Sequence, residues 1–211
     1  MRMLILGATG GTGRQIVREG LAAGHAIVAL VRSKAKAEGL AGAQLVEGNA
    51  LDEAAVRSTL DGCDAVICSL GVGLSPFRAV TLLSAATRVL ISAMTQSGVR
   101  RLVCITGMGA GDSRGHGGFL YDRLFQPLLL RTIYQDKDRQ EDAIRASGLD
   151  WVILRPTVLT DTPATGRVRA VTDLAGMHGG KISRADVARF AVRQVSSDEW
   201  LRKTPLITEA P

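Results

Sequence analysis

The 211-residue sequence has few aromatic side chains and no long apolar run. Aromatic residues make up 4% of the chain and hydrophobic residues 46%, so a core of ordinary size must be mainly aliphatic. No apolar stretch reaches the roughly 20 residues that a membrane-spanning helix needs. The first residues lead directly into a strand pattern, without a charged leader and cleavage region. We therefore expect a cytoplasmic protein with no membrane partner.

Cysteine is also scarce, and its positions exclude the common cysteine-based sites. Cys63, Cys68 and Cys104 lie in or beside apolar runs, and no two of them have the Cys-x-x-Cys spacing. No Cys/His cluster has the spacing of zinc ligands. The pattern predicts buried free thiols in a reducing compartment and no metal site.

The positive net charge of +6 is spread along the chain. No tract of consecutive lysines and arginines is present, and no aromatic residues alternate with basic ones as a base-stacking surface requires. The charge therefore favours a small anionic ligand, such as a nucleotide, over a nucleic acid.

Apolar strand-like segments alternate with helical patterns along the whole sequence. This alternation predicts one α/β domain over residues 1–211, a Rossmann-type doubly wound parallel sheet with small C-terminal elements on the substrate side. The predicted strands are 3–6, 26–31, 43–48, 64–70, 101–106, 150–156 and 205–208. The predicted helices are 12–23, 52–60, 76–97 (starting at Ser75-Pro76), 119–147 (broken before Pro127) and 183–195.

The stretch GATGGTG, residues 7–13, carries the clearest functional signal. Gly7, Gly10 and Gly13 have the spacing of a dinucleotide-binding turn, with Gly11 in addition, and they lie between a strand and a helix. In such a turn the backbone approaches a pyrophosphate, which binds free amides at the helix N-terminus. The side chains expected to add donors are those of Thr9, Thr12 and Arg14. The alternative is a glycine-rich turn with no ligand.

The residues after the second predicted strand indicate which dinucleotide binds. An NAD-binding chain is expected to have Asp or Glu there for the ribose 2′-hydroxyl. This chain has Arg32 and Ser33, followed by Lys34 and Lys36. Cations suit a 2′-phosphate, so we predict NADP as the cofactor, with NAD as the alternative and a solvated basic loop as the non-functional interpretation.

Several motifs together resemble a known family. They are GATGGTG, GNALD (48–52), SGLDWVILRPTVLTD (147–161), TG (165–166) and ISRADVARF (182–190). In this order they resemble the atypical short-chain dehydrogenases, in particular the NmrA-like NAD(P)H-binding proteins, which include biliverdin reductase B and flavin reductase-like enzymes. The resemblance extends over essentially the whole chain.

The resemblance implies further cofactor contacts at the ends of later strands. On the adenine side these are Asn49, Ala50 and Leu51, with Asn49 in place of the family's usual Asp. On the nicotinamide side they are Ser69, Leu70, Gly71, Pro156, Thr157 and Val158.

The catalytic pattern of ordinary short-chain dehydrogenases is incomplete here. Those enzymes use a Ser and a Tyr-x-x-x-Lys, because carbonyl reduction needs a proton donor beside the hydride. Thr106 occupies the Ser-like position and could hydrogen-bond a substrate, and Lys137 could hold a ribose hydroxyl. The residue four before Lys137 is Ile133, and Tyr134 is offset by one residue, about 100° around a helix. We therefore do not assign Tyr134 as the acid.

The missing proton donor favours acceptors that take up hydride with solvent protons. The predicted function is hydride transfer from NADPH to a flavin or quinone-like acceptor. The alternatives are a non-catalytic NAD(P)H sensor with a protein partner, and an epimerase-like enzyme. The glycine-rich segment 107–118 is predicted to form a mobile lid, in which His116 is a solvated loop residue.

Overall fold

The computed structural model describes residues 1–73, 79–118 and 121–210, without the side chains at positions 36, 121 and 125–127. Its strands are β1 (Arg2–Leu6), β2 (Ala26–Val31), β3 (Gln44–Glu47), β4 (Ala65–Cys68), β5 (Arg101–Ile105), β6 (Asp150–Pro156), β7 (Val158–Thr160), β8 (Val168–Val171), β9 (Lys181–Ser183) and β10 (Leu206–Glu209). Its α-helices are α1 (Gly11–Ala22), α2 (Glu53–Ser58), α3 (Leu82–Ser97), α4 (Arg131–Ala146) and α5 (Arg184–Arg193). Among these residues no helix has the length and apolarity to cross a bilayer.

Eight of the strands form one sheet in the order β3-β2-β1-β4-β5-β6-β10-β8. Neighbouring strands are parallel except β10 and β8, which are antiparallel. β7 and β9 form a separate parallel pair. The predicted doubly wound parallel sheet is therefore confirmed. The strand order reverses between β1 and β4, where open α/β sheets form their ligand-binding crevice.

Both faces of the sheet are buried, which explains the nearly continuous apolar strands. Along β1, Met3 and Ile5 point into the core that α1 and α5 cover, whereas Leu4 and Leu6 point into the core on the opposite face. All four side chains are almost fully buried. Burial of each aliphatic side chain of this size stabilises the fold by roughly 1.5–3 kcal/mol. A polar residue in these strands loses hydrogen bonds to water and therefore needs a specific partner.

The three cysteines are free and buried, as predicted. Cys68 on β4 and Cys104 on β5 lie side by side in register in the middle of the sheet. Burial raises the pKa of the Cys63 thiol. The thiols act as small apolar groups of the core.

Several predicted boundaries are wrong. α3 begins at Leu82, and the predicted start at Ser75-Pro76 lies outside the described residues. The predicted break before Pro127 is absent, because a π-helical segment, Tyr121–Leu130, continues into α4. The stretch expected to be irregular up to Gly180 contains β7 and β8. These strands have three or four residues, too few for a periodic signal.

The N-terminus of α3 is capped from α4. Thr81 precedes the helix and makes no side-chain cap bond. Instead the buried Asp136 carboxylate accepts the N–H of Leu83 at 2.8 Å and the hydroxyl of Ser84 at 2.5 Å. A carboxylate at a helix N-terminus satisfies unpaired donors and interacts favourably with the helix dipole. Asp136 therefore fixes how α3 and α4 pack together.

Candidate cofactor and substrate site

The predicted site residues follow the carboxyl ends of parallel strands and therefore lie along one edge of the sheet. Gly7 follows β1, Arg32 follows β2, Ser69 follows β4, Thr106 follows β5 and Thr157 follows β6. The strand order places Gly7 and Ser69 at the point where the sheet reverses. This is the edge at which open α/β sheets bind ligands.

Two glycines of the turn after β1 are required by the packing of the chain itself. Gly7 has a φ of +80°, and a Cβ there would overlap the backbone of Ser69 and lie 2.9 Å from Leu70 N. A Cβ on Gly13 would overlap the carbonyl of Gly7 and lie 2.8 Å from Ala8 Cα. Gly7 and Gly13 therefore let β1, α1 and the end of β4 approach closely, which is a structural role.

Gly10 and Gly11 differ, since both are exposed. A Cβ on Gly10 would meet a single atom, Gly7 O at 3.3 Å, so the packing of the chain barely restricts this position. Arg14 N donates to Gly10 O at 2.9 Å, so the N–H groups of Gly11, Thr12 and Gly13 have no partner within α1. Exposed backbone with unpaired donors at a helix N-terminus fits a diphosphate.

The three side chains predicted to add donors near the turn differ in their contacts and exposure. Arg14 Nε donates to Thr9 O at 3.1 Å, so Arg14 braces the turn. Thr12 is buried, whereas Thr9 is exposed. Of the three predicted donors, Thr9 is the side chain most open to a ligand.

The adenine end of the predicted site contains an unpaired cation. Arg32 is exposed, and no carboxylate among the described residues forms an ion pair with it. Ser33 precedes a 3₁₀ turn without capping it. Lys34 N donates to Glu47 Oε2 at 3.1 Å. The side chain of Lys36 lies outside the described part of the chain, so its contribution stays a prediction.

The segment after β3 keeps only part of its predicted hydrogen-bonding capacity. Asn49 Oδ1 accepts the N–H of Leu51 at 3.0 Å, so this amide oxygen closes a local turn. Its NH₂ group remains the donor that could meet an adenine ring. Ala50 packs against the core, and the side chain of Leu51 is largely exposed.

On the nicotinamide side, Ser69 and Leu70 are half-buried and Gly71 is exposed. Pro156 and Thr157 are buried, and the Thr157 hydroxyl donates to Thr208 Oγ1 at 3.2 Å. Val158 is 52% exposed, a large value for an apolar residue in a strand. Of the residues predicted after β6, Val158 therefore offers an open apolar surface.

Thr106 is held by groups of α4. It is 5% exposed, and its hydroxyl donates to Glu141 Oε1 at 2.7 Å. The Thr106 carbonyl accepts a hydrogen bond from Lys137 Nζ. In this structure the hydroxyl proton of Thr106 is therefore directed at Glu141, and the contact of this hydroxyl with an acceptor stays a prediction.

Glu141 belongs to a buried ionic cluster that the sequence analysis missed. Its carboxylate, with no exposed surface, accepts from Arg155 Nε at 3.1 Å, Arg155 Nη2 at 2.7 Å and Arg145 Nη2 at 2.8 Å. Arg155 is 1% exposed and also pairs with Asp112. An arginine inside the apolar strand WVILRP was the available signal, because a buried cation requires a partner.

Lys137 and Tyr134 converge on Gly107 despite their offset spacing. A Cβ on Gly107 would lie 2.9 Å from Lys137 Nζ and 3.3 Å from the Tyr134 hydroxyl. Lys137 Nζ lies 5.1 Å from the centre of the Tyr134 ring. Burial lowers the pKa of Lys137 to about 8. Lys137 therefore places an amine of lowered pKa beside Thr106, and the Tyr134 hydroxyl lies close to it.

The segment 107–118 is only partly open. Met108, Ala110 and Ser113 are buried, and Gly111 N donates to Asp138 Oδ1 at 2.8 Å. His116 is half-buried, with its Nδ1 3.1 Å from Met177 O. The first half of this segment is packed against the core, and its role as a lid stays a prediction.

The comparisons with known proteins agree with this geometry. The family model described as NAD(P)H-binding matches residues 7–198, from the first glycine of the turn to beyond α5. The chain belongs to this NAD(P)H-binding family. The resemblance to atypical short-chain dehydrogenases and the prediction of a nicotinamide cofactor are therefore confirmed.

Individual relatives cover nearly the whole chain. The "uncharacterized sugar epimerase YhfK" of Bacillus subtilis is 32% identical, over 99% of this chain and 94% of the relative. The solved structure of ChuY, an anaerobilin reductase from Escherichia coli O157:H7, has a TM-score of 0.82 and 25% identity, over 99% of this chain and 97% of that chain. A short-chain dehydrogenase/reductase from Veillonella parvula, solved in complex with NADP, has a TM-score of 0.79 and 15% identity, over 99% and 94%, and shows the shared fold.

The buried cluster yields a prediction about stability. Glu141→Gln leaves Arg155 without its buried counter-charge, and we expect it to lower the free energy of unfolding by roughly 3–5 kcal/mol. Urea denaturation measures this change. Asp142→Asn, on the exposed neighbouring position of the same helix, is the matched control and should change stability by less than about 1 kcal/mol. Equal stability of the two variants would contradict the assignment of Glu141 as the buried counter-charge.

The lowered pKa of Lys137 yields a pH dependence. The Lys137 amine releases its proton near pH 8 in the folded protein and at about pH 10.4 in the unfolded chain. Between these values the unfolded state therefore binds more protons than the folded state. Stability conferred by Lys137 should therefore rise with pH in this window and be lost as pH falls through about 8. Comparing the free energy of unfolding of wild type and Lys137→Met from pH 7 to 10.5 tests this. A pH-independent difference would show that Lys137 has an ordinary pKa.

Proposed function

We propose that this protein is an NADPH-dependent reductase that transfers hydride to a flavin or quinone-like acceptor. The observation that carries the proposal is the pairing of two anion-binding features at one sheet edge. These are the amides at the start of α1, which have no partner within that helix, and Arg32 at the end of the neighbouring β2, which pairs with no carboxylate among the described residues. Bound NADPH would supply a hydride from C4 of its nicotinamide ring.

The chain's own residues would position the cofactor. The turn 7–13 would hold the diphosphate, and Arg32 with Ser33 and Lys36 would select the 2′-phosphate. Asn49 and Ala50 would lie beside the adenine, while Val158 and the segment 69–71 would border the nicotinamide. In this assignment Lys137 holds the Thr106 carbonyl in place by donating a hydrogen bond to it. The two residues form one wall of the acceptor site.

The choice of acceptor follows from the lack of a proton donor at the usual serine and tyrosine positions of this wall. The Thr106 hydroxyl is bonded to Glu141, and Ile133 occupies the position of the usual tyrosine. Flavins and quinones accept hydride and take their proton from solvent, so they need little acid catalysis from the protein. ChuY, which is described as an anaerobilin reductase, supports a reductase on this fold.

A second candidate is an epimerase-like activity. Tyr134 and Lys137 both approach Gly107, next to Thr106. The site therefore contains the Tyr134 hydroxyl and the Lys137 amine, and the pKa of the amine is lowered. The description of the relative YhfK as a sugar epimerase supports this candidate. An epimerase returns its hydride to the substrate, so it interconverts sugars without net consumption of NADPH.

A turnover assay tests the proposal. When FMN, a quinone or a dye acceptor is added to purified protein and NADPH, NADPH should be oxidised. The absorbance of its reduced nicotinamide should then fall with time. Tight NADPH binding without turnover of any acceptor would contradict the reductase and favour a non-catalytic sensor. Interconversion of a sugar at constant absorbance would instead favour the epimerase.

The cofactor preference gives a separate prediction. Arg32→Ala removes the cation expected at the 2′-phosphate, so we expect NADPH affinity to fall about 10- to 100-fold while NADH affinity changes less than about twofold. Isothermal titration calorimetry measures both dissociation constants. Arg18→Ala removes an exposed arginine from α1 and serves as the control. Equal losses for NADPH and NADH would remove Arg32 from the phosphate site.

A further inference from the structure

Gly11 is the additional glycine of the turn, and the structure shows what its missing side chain makes room for. A Cβ on Gly11 would lie 2.9 Å from Arg184 Nε and 3.0 Å from Arg184 Cδ. Arg184 comes from α5, about 170 positions further along the chain, and is the first residue of that helix. The arginine stem therefore lies directly over the exposed start of α1.

Helix packing explains how these distant residues meet. α1 and α5 cover the same face of the sheet, and their N-termini both lie at the carboxyl edge of the strands. Further along both helices, Arg189 Nε pairs with Glu19 Oε2 at 3.1 Å, so the two helices run side by side in the same direction. This arrangement fixes the first turn of α5 beside the first turn of α1.

The position of Arg184 is unfavourable for α5 alone. Helix N-termini favour acidic side chains, and a cation in the first turn interacts unfavourably with the helix dipole. Ser183 and Asp186 satisfy this helix start without Arg184. A residue that goes against its local preference is expected where function requires it.

The guanidinium lies within reach of the unpaired amides of the turn. Because Nε is 2.9 Å from the Cβ position of Gly11, it is at most about 5.5 Å from the amide nitrogen of the same residue. A single phosphate oxygen that accepts from both nitrogens, at about 2.7–3.2 Å each, spans this distance. We infer that Arg184 is a cofactor-binding residue that, together with the N-terminus of α1, clamps the diphosphate of NAD(P)H; this rests on the proposed placement of the cofactor.

Arg184 also forms an ion pair with Asp161, which follows β7. Arg184 Nη1 pairs with Asp161 Oδ1 at 2.8 Å, and the Asp161 side chain is 87% exposed. An ion pair this exposed contributes little stability, so the guanidinium can turn toward a phosphate at little cost. The pair leaves Nε and the second terminal nitrogen of Arg184 available as donors.

The clamp predicts a loss of affinity that is independent of the 2′-phosphate. Arg184→Gln should weaken NADPH and NADH equally, about tenfold, because both contain the same diphosphate. Arg184→Lys keeps the charge but loses the planar fork, and should weaken both to an intermediate extent. Calorimetric dissociation constants for the two cofactors, with thermal unfolding as a check of folding, provide the measurement.

Arg189→Gln is the matched control, since it removes a second ion-paired arginine from the same helix and should leave both affinities unchanged. Unchanged binding in Arg184→Gln would overturn the clamp and leave the proposed function intact. Loss of NADPH binding alone would overturn it as well, because Arg184 would then bind the 2′-phosphate. Absence of NADPH and NADH binding to the wild-type protein would instead overturn the proposed cofactor site itself.

Discussion

The buried carboxylate of Glu141 connects the parts of the molecule that meet beside β5 and β6. It accepts hydrogen bonds from Thr106, Arg145 and Arg155, and so ties α4 to the ends of two central strands. Through Asp112, Arg155 also fixes the segment that follows Thr106. A buried charge is costly when unpaired, so these groups must be present together. The shape of this part of the sheet edge is therefore set by the pairing of buried charges as well as by apolar packing.

The sheet could be predicted from the sequence because its strands are buried on both faces. A continuous apolar segment such as AIVALV is stable only where both of its faces are covered. The predicted bounds of β2 coincide with the structure. The start of α3 was harder to predict from the sequence, because its cap, Asp136, lies 52 residues after Ser84 and leaves no local signal. Strands β7, β8 and β9 were missed for a related reason, since pairing between distant short segments defines them.

The site could be predicted only in part. The positions of the glycine turn and Arg32 follow from local pattern and from the order of the strands. The hydrogen bond of Thr106 to α4 and the position of Arg184 over Gly11 depend on which helices pack together, and a pattern of spacing contains no such information. The glycines illustrate the same limit, because Gly7 and Gly13 serve the packing of the backbone, whereas Gly10 is barely restricted and Gly11 makes room for Arg184.

The cap that Asp136 provides has a consequence for how the molecule assembles. The first four strands and α1 could pair from local segments, but the first turn of α3 is complete only when α4 has docked. α4 is in turn anchored by Arg155 on β6, a strand that follows it in the chain. The N-terminal half that carries the glycine turn therefore depends on residues from the C-terminal half. The chain is expected to fold as one cooperative unit, in which neither half of the sheet forms an independent module.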